Sequence, residues 1–175
     1  MTPPPIDTIA PLIVVLVLAA LLERLVSWLQ PRLLTALAAD PDPYKRTTVA
    51  VHHASPPGVL ALLAGDPDRV VRHGVAGNPN TPPGNLTGLA VDPDPRVRRG
   101  AAANLNTPAA VLTVLAVDPD CWVRRLTAAN QAAPPGTLTR LAVDPDPDVR
   151  MWAAKNPSCP PLNAAQSAAA GLVAD

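Results

Sequence analysis

Aromatic side chains are nearly missing from this chain. Its 175 residues contain no Phe, one Tyr and three Trp. A core without large rings must be filled by Leu, Val and Ala, which suits short helices stacked closely. The same scarcity weakens any case for stacking nucleic-acid bases. Net charge is zero, with 14 basic and 14 acidic residues, so no electrostatic footprint for a polyanion stands out. The two cysteines, Cys121 and Cys159, are too few and too far apart for a disulfide framework or a metal knuckle, and read as reduced thiols. Three histidines, His52, His53 and His73, form no spaced ligand set, because adjacent residues of a helix face different ways. No Gly-rich phosphate loop occurs. Ser27, Ser55, Ser158 and Ser167 lack a nucleophile motif around them, and neither cysteine has a recognisable His partner. Catalysis has no support, and no cofactor is expected.

Proline, by contrast, is abundant, with 24 copies. Scattered, they would signal disorder. Here they recur at fixed phases of a repeat. Asp-Pro-Asp begins at Asp40, Asp66, Asp92, Asp118 and Asp144, a spacing of 26 residues each time. A constant period in this range denotes a solenoid.

Each unit reads as a leucine half and an arginine half. The leucine half carries Leu34, Leu60, Leu86, Leu112 and Leu138, then Leu37, Leu63, Leu89, Leu115 and Leu141, then an Ala. Leu at i and i+3 with Ala at i+4 makes one apolar face of a short helix. Paired prolines precede it, as at Pro82-Pro83, and the few residues available leave a short α-helix or a 3-10 turn open. The arginine half opens at Asp-Pro-Asp, which predicts an Asp N-cap, Pro at N1 and a second Asp in the first turn. Val71, Val97, Val123 and Val149 point inward. Asn78, Asn104, Asn130 and Asn156 read as left-handed stops at the helix C-terminus. The first unit departs from the pattern with Lys45 and His52. Trp152 replaces Gly74, Gly100 and Leu126 of earlier units, as a plug for the last core would.

The pattern Leu-x-x-Leu-Ala-x-Asp-Pro-Asp-x-x-Val-Arg, then Ala-x-Asn-x-x-x-Pro-Pro, resembles the leucine-rich repeat variant family, and more distantly the HEAT-type helical repeats. The resemblance covers residues 31–161. It implies an all-α, right-handed solenoid of about five units in which α-helices alternate with short α or 3-10 helices. Some family members hold an iron–sulfur centre in an N-terminal cysteine cluster. With no cysteine before Cys121, that cofactor is not carried over.

Ahead of the repeats, residues 9–22 are almost wholly apolar. Asp7 or Thr8 caps the expected helix and Pro31 is expected to stop it. About 22 residues of helix would measure about 33 Å, enough for one crossing with Glu23 and Arg24 at the interface and Trp28 as anchor. No Lys or Arg precedes the run, which argues against a cleaved signal peptide. Arg24, Arg32, Lys45 and Arg46 lie on its C-terminal side, so the expectation is a single-pass cell-membrane anchor with the repeats in the cytoplasm. The alternative is a cytoplasmic protein whose residues 9–29 bundle into a homo-oligomer, since Leu18, Leu22, Leu25 and Leu29 continue an apolar face. The expected divisions are a lead and hydrophobic helix at 1–30, repeats at 31–161, and an Ala-rich tail or cap at 162–175.

Arg46, Arg72, Arg98, Arg124 and Arg150 form a ladder at the same period. A row of phosphate-binding arginines is one reading. The favoured one pairs each Arg with an Asp between neighbouring units, as the resemblance to HEAT-type repeats implies and as the fork geometry of guanidinium suits. Partner binding is sought where units differ. By i, i+3, i+7 spacing a stripe runs through Arg96, Arg99 and Ala103, with His73, Trp122, Arg125 and Met151 at the same phases nearby. Arg and Trp together are the residue types of interface hot spots. The expected function is a membrane-anchored module that binds and tethers a protein partner without catalysis. A soluble scaffold or stalk subunit is the alternative, and nucleic-acid binding through a basic face the third.

Overall fold

A computed structural model of the chain describes residues 29–161 and Asn163. The hydrophobic run from Ile9 to Trp28, with the membrane span assigned to it, lies outside the described residues, as does most of the 162–175 tail. Among the described residues, no helix is long and apolar enough to cross a membrane.

The described residues are all-helical. Residues 29–38 are helical (α1), followed by α2 (Pro43–Val51), α3 (Pro57–Leu63), α4 (Arg69–Gly77), α5 (Pro83–Leu89) and α6 (Pro95–Ala103). Then come α7 (Ala109–Leu115), α8 (Cys121–Ala129), α9 (Pro135–Leu141) and α10 (Pro147–Lys155). From α2 onward, nine-residue and seven-residue helices alternate. The break expected at Pro31 is absent, because the fixed φ of proline is itself helical and the residue forfeits only its own N–H bond. The short helices are α rather than 3-10. Leu60 N–H reaches back to Pro56 and Ala64 N–H to Leu60, both four-residue bonds. Tighter three-residue bonds appear only at their ends, as from Val59 to Pro56 and Asp66 to Leu63.

Two rows of helices enclose the core. Leu60, Leu86, Leu112 and Leu138 of the short row and Val71, Val97, Val123 and Val149 of the long row are fully buried. Neighbouring long helices pack directly on one another, α2 on α4, α4 on α6, α6 on α8 and α8 on α10, while neighbouring short helices share little direct contact. The array therefore bends toward the long-helix row, which forms its concave side.

Two caps differ from expectation. The N-cap is the second Asp of each Asp-Pro-Asp: Asp42, Asp68, Asp94, Asp120 and Asp146 accept backbone N–H groups of the first turn. The first Asp instead accepts the N–H two residues on, as Asp92 does from Asp94 at 2.9 Å, and keeps its other oxygen for a neighbouring unit. Pro41 and its counterparts thus stand before the helix, not at N1. The C-cap asparagines end their helices in extended backbone, with φ between −75° and −70°, not left-handed. A packing role holds them there, since the Asn104 amide donates at 2.8 Å to the carbonyls of both Ala76 and Asn78 in the preceding unit. Asn78, Asn130 and Asn156 do the same.

Trp152 does not plug the terminal core. Its phase faces backward, as Gly100 shows by standing against Ala76, and Trp152 remains 36 % exposed.

Candidate protein-binding face

The ladder arginines are spent inside the array. Arg98 donates Nε to Asp118 Oδ2 at 2.7 Å and Nη2 to Asp118 Oδ1 at 3.0 Å, while Nη1 bonds the carbonyls of its own Asp92 and Pro93. Arg46 pairs in this way with Asp66, Arg72 with Asp92 and Arg124 with Asp144. These carboxylates are 5–7 % exposed and their arginines 13–16 %, so the forks are largely screened from water and from any phosphate ligand. The carboxylate bonds raise the pKa values of Arg46, Arg72, Arg98 and Arg124 above the ordinary value, despite burial acting the other way. Each stays charged.

A second set of pairs lies on the concave side. Arg69 reaches Asp94 at 3.0 Å, Arg99 holds Asp120 with both Nη2 (2.6 Å) and Nε (3.1 Å), and Arg125 reaches Asp148 at 3.2 Å. The Arg99 bond holds the Asp120 carboxyl below the usual carboxylate range, helped by the Val123 N–H and opposed by burial. So tethered, the Arg99 and Arg125 guanidinium groups stand over tryptophan rings of their own or the next long helix. Arg99 Cζ stands 5.9 Å from the Trp122 ring centre and Arg125 Cζ 4.8 Å from the same ring. Arg125 also lies 5.8 Å from the Trp152 ring. The result is a run Arg99–Trp122–Arg125–Trp152 along three successive long helices, in which each contact lies in cation–π range. Trp122 is 50 % exposed.

The rest of the stripe flanks this run. His73 donates from Nδ1 to the Arg96 carbonyl at 2.8 Å, bridging α4 to α6. Arg96 itself is exposed, and Met151 is half-buried. Shallow hollows of about 280 Å³ open between these helices, one lined by Arg69, Val70, His73, Asp94 and Arg96, another running from His73 and Gly77 to Arg99 and Ala103. Two pairings carry no warning in the period: Asp120, which recurs as a helix cap, and Asp148, which does not, sit 21 and 23 residues beyond their arginines, so no fixed offset announces the bonds. Trp152 joins the run through its place one turn beyond Asp148, a link visible only once α8 and α10 are packed.

The chemistry available is recognition. Two tryptophan faces and two immobilised guanidinium groups offer a rigid amphipathic surface, low in the rotamer entropy that binding must remove. Ser55 is buried and donates to the Val49 carbonyl. The His52 and His53 rings stack on each other at 4.9 Å. Burial pushes the Cys159 thiol up, away from thiolate reactivity. No group of three or more His, Cys, Asp or Glu able to hold a metal ion occurs among the described residues.

Fold and face together define the class: a helical-repeat solenoid with a differentiated concave side. One of its units, residues 69–94, a full period, matches the family described as "Leucine rich repeat variant". The fold is also similar to a solved structure titled "A leucine-rich repeat variant with a novel repetitive protein structural motif". That likeness has 29 % identity and a TM-score of 0.59, and covers 81 % of this chain but 60 % of the other, so the present chain spans less than two thirds of its relative. Comparison with curated proteins gives no match.

Proposed function

We propose that this chain is a protein-binding repeat module whose docking face is the concave run Arg99–Trp122–Arg125–Trp152, with Arg96, His73 and Met151 at its margins. The observation that carries this reading is the exposed Trp122 ring in cation–π range of two arginines that are themselves bonded to carboxylates. Such a group loses little freedom on binding, and Trp and Arg dominate interface energetics. The partner is a protein, held rather than transformed. We further propose that residues 9–29 tether the module to a membrane with the repeats on the cytoplasmic side, which raises the local concentration of whatever it holds.

Affinity capture from solubilised membranes tests the docking face. Trp122→Ala and the double variant Arg99→Glu, Arg125→Glu should each lose partners that the native chain retains. A partner set unchanged by both would show that another face binds. Carbonate extraction tests the tether: the chain should stay in the pellet, and release to the supernatant would overturn that part.

A further inference from the structure

Every internal joint of the array uses two side-chain devices. The ladder Arg of one unit forks onto the first Asp of the next, 20 residues on, and the C-cap Asn of one unit donates back to two carbonyls of the unit before. At the two ends of the array each device is left half made, and the halves are complementary.

At the last unit, Arg150 donates Nη1 to the carbonyls of Asp144 (2.8 Å) and Pro145 (3.0 Å), as its counterparts do. Its Nε is buried and has no acceptor among the described residues. The residue 20 positions on, where an Asp completes each inner joint, is Ala170. One turn on from Arg150, Ala154 is only half-buried, whereas Ala76, Ala102 and Ala128 at the same phase are fully covered by the following unit. The carbonyls of Ala154 and Asn156 occupy the phase of Ala128 and Asn130, which receive the Asn156 amide.

At the first unit, Asp40 occupies the phase of the four Asp residues that receive a fork from the unit before, at 66, 92, 118 and 144. The residue 20 positions earlier is Ala20, so no ladder Arg precedes it. Its Oδ2 is held instead by the exposed Lys45 at 2.8 Å. His52 stands at the Asn phase and copies half of the Asn device. Its Nδ1 accepts the Ala54 N–H at 3.1 Å, as Asn104 Oδ1 accepts the Asn106 N–H at 2.9 Å. The ring proton is then on Nε2, a donor in the role of the Asn amide. Thr48, on the side that meets a preceding helix in inner units, is exposed.

A buried guanidinium N–H without an acceptor is costly, and at every inner joint the equivalent N–H is satisfied by the first Asp of a following unit. We propose that copies of this chain join head to tail, the Arg150 end of one on the Asp40 end of another, with the Arg150 fork taking the second copy's Asp40 in place of Lys45. The His52 ring then faces the Ala154 and Asn156 carbonyls across the joint. Such a contact is heterologous, so it extends into short open rows of modules.

Sedimentation velocity on the full chain in detergent micelles, from micromolar to submillimolar concentration, tests this. The native chain should grow in mass with concentration. Arg150→Glu and Asp40→Arg should each weaken association by about tenfold or more when alone, by setting like charges opposite one another. Mixing the two should restore it, because the mixture makes Glu–Arg joints. Lys45→Ala, a change at an exposed side chain, should strengthen association by freeing Asp40, and it keeps the test open if either charge reversal loses its helical circular dichroism. A native chain of constant mass would overturn the proposal. So would helical charge-reversal variants that associate as the native chain does, which is the behaviour expected if residues 9–29 drive assembly. A helical mixture that fails to recover would overturn it as well, and so would a Lys45→Ala chain that associates no better.

Discussion

A Cβ placed on Gly100 would stand 2.8 Å from the Ala76 Cβ of the preceding long helix and 3.3 Å from the Gly77 nitrogen. Neither neighbour can swing aside, since one is a methyl on buried backbone and the other is backbone. Gly100→Ala should therefore destabilise the array, although Ala favours helix by about 1 kcal/mol. Gly88→Ala, at a helical position where a Cβ meets nothing within 4 Å, should stabilise by up to about 1 kcal/mol. Urea unfolding of the two variants side by side checks the opposite signs.

The same substitution at two rungs of the ladder should differ in cost. Arg98→Gln leaves the Asp118 carboxylate, 6 % exposed, without its fork and should cost about 2–4 kcal/mol. Arg150→Gln removes no carboxylate partner and discards an unsatisfied Nε, so it should cost clearly less. Thermal denaturation at dilute concentration, where copies stay apart, measures the gap. Equal losses would mean that the carboxylate contributes nothing.

Asn104→Ala strips donors from the Ala76 and Asn78 carbonyls at once and should cost about 2–4 kcal/mol. Asn104→Asp should cost more, because it turns a buried oxygen toward each of those carbonyls and adds charge. Hydrogen exchange should show the loss concentrated in the units on either side of that joint, in keeping with nearest-neighbour stability.

Acid should loosen the array through its aspartates. Burial would raise the pKa of Asp66, yet the Arg46 fork and the Asp68 N–H outweigh it and hold the carboxyl below its ordinary 3.8. For Asp120 the Arg99 bond leads, and for Asp40 the Lys45 bond. Carboxyls depressed in the fold contribute stability that is present above the unfolded value of 3.8 and is lost as pH falls through the folded value. Melting temperature should thus stay level from neutral pH down to about pH 5 and drop below about pH 4. Asp120→Asn should melt lower at pH 7 and show a shallower acid slope.

The period, the two halves of the unit and the inward leucines and valines were all legible in the sequence, because helix faces and capping residues obey local rules. Which of two neighbouring aspartates caps the helix was not. Asp92 and Asp94 are chemically alike, and the choice is made by Arg72, 20 residues upstream in sequence but adjacent in space. The asparagines misled for the same reason: their chemistry suits a left-handed stop, but two carbonyls in the preceding unit claim the amide first. On the concave side, equal spacing put Arg99, Trp122 and Arg125 on one stripe. The carboxylates that fix them, Asp120 and Asp148, depend on side-chain reach across a joint, which no periodicity encodes.

The asparagine bonds all point one way. Asn156 reaches back to Asn130, Asn130 to Asn104, Asn104 to Asn78, and Asn78 to His52. The two ends that fraying creates are consequently unlike. A unit peeling away at the C-terminal end carries off its Asn donor and leaves two bare carbonyls on the end behind it. One peeling away at the N-terminal end carries off the carbonyls and leaves a bare amide, as Asn78 would be without the Ala50 and His52 carbonyls. The array has a grain, and which group meets water first depends on the end from which it opens.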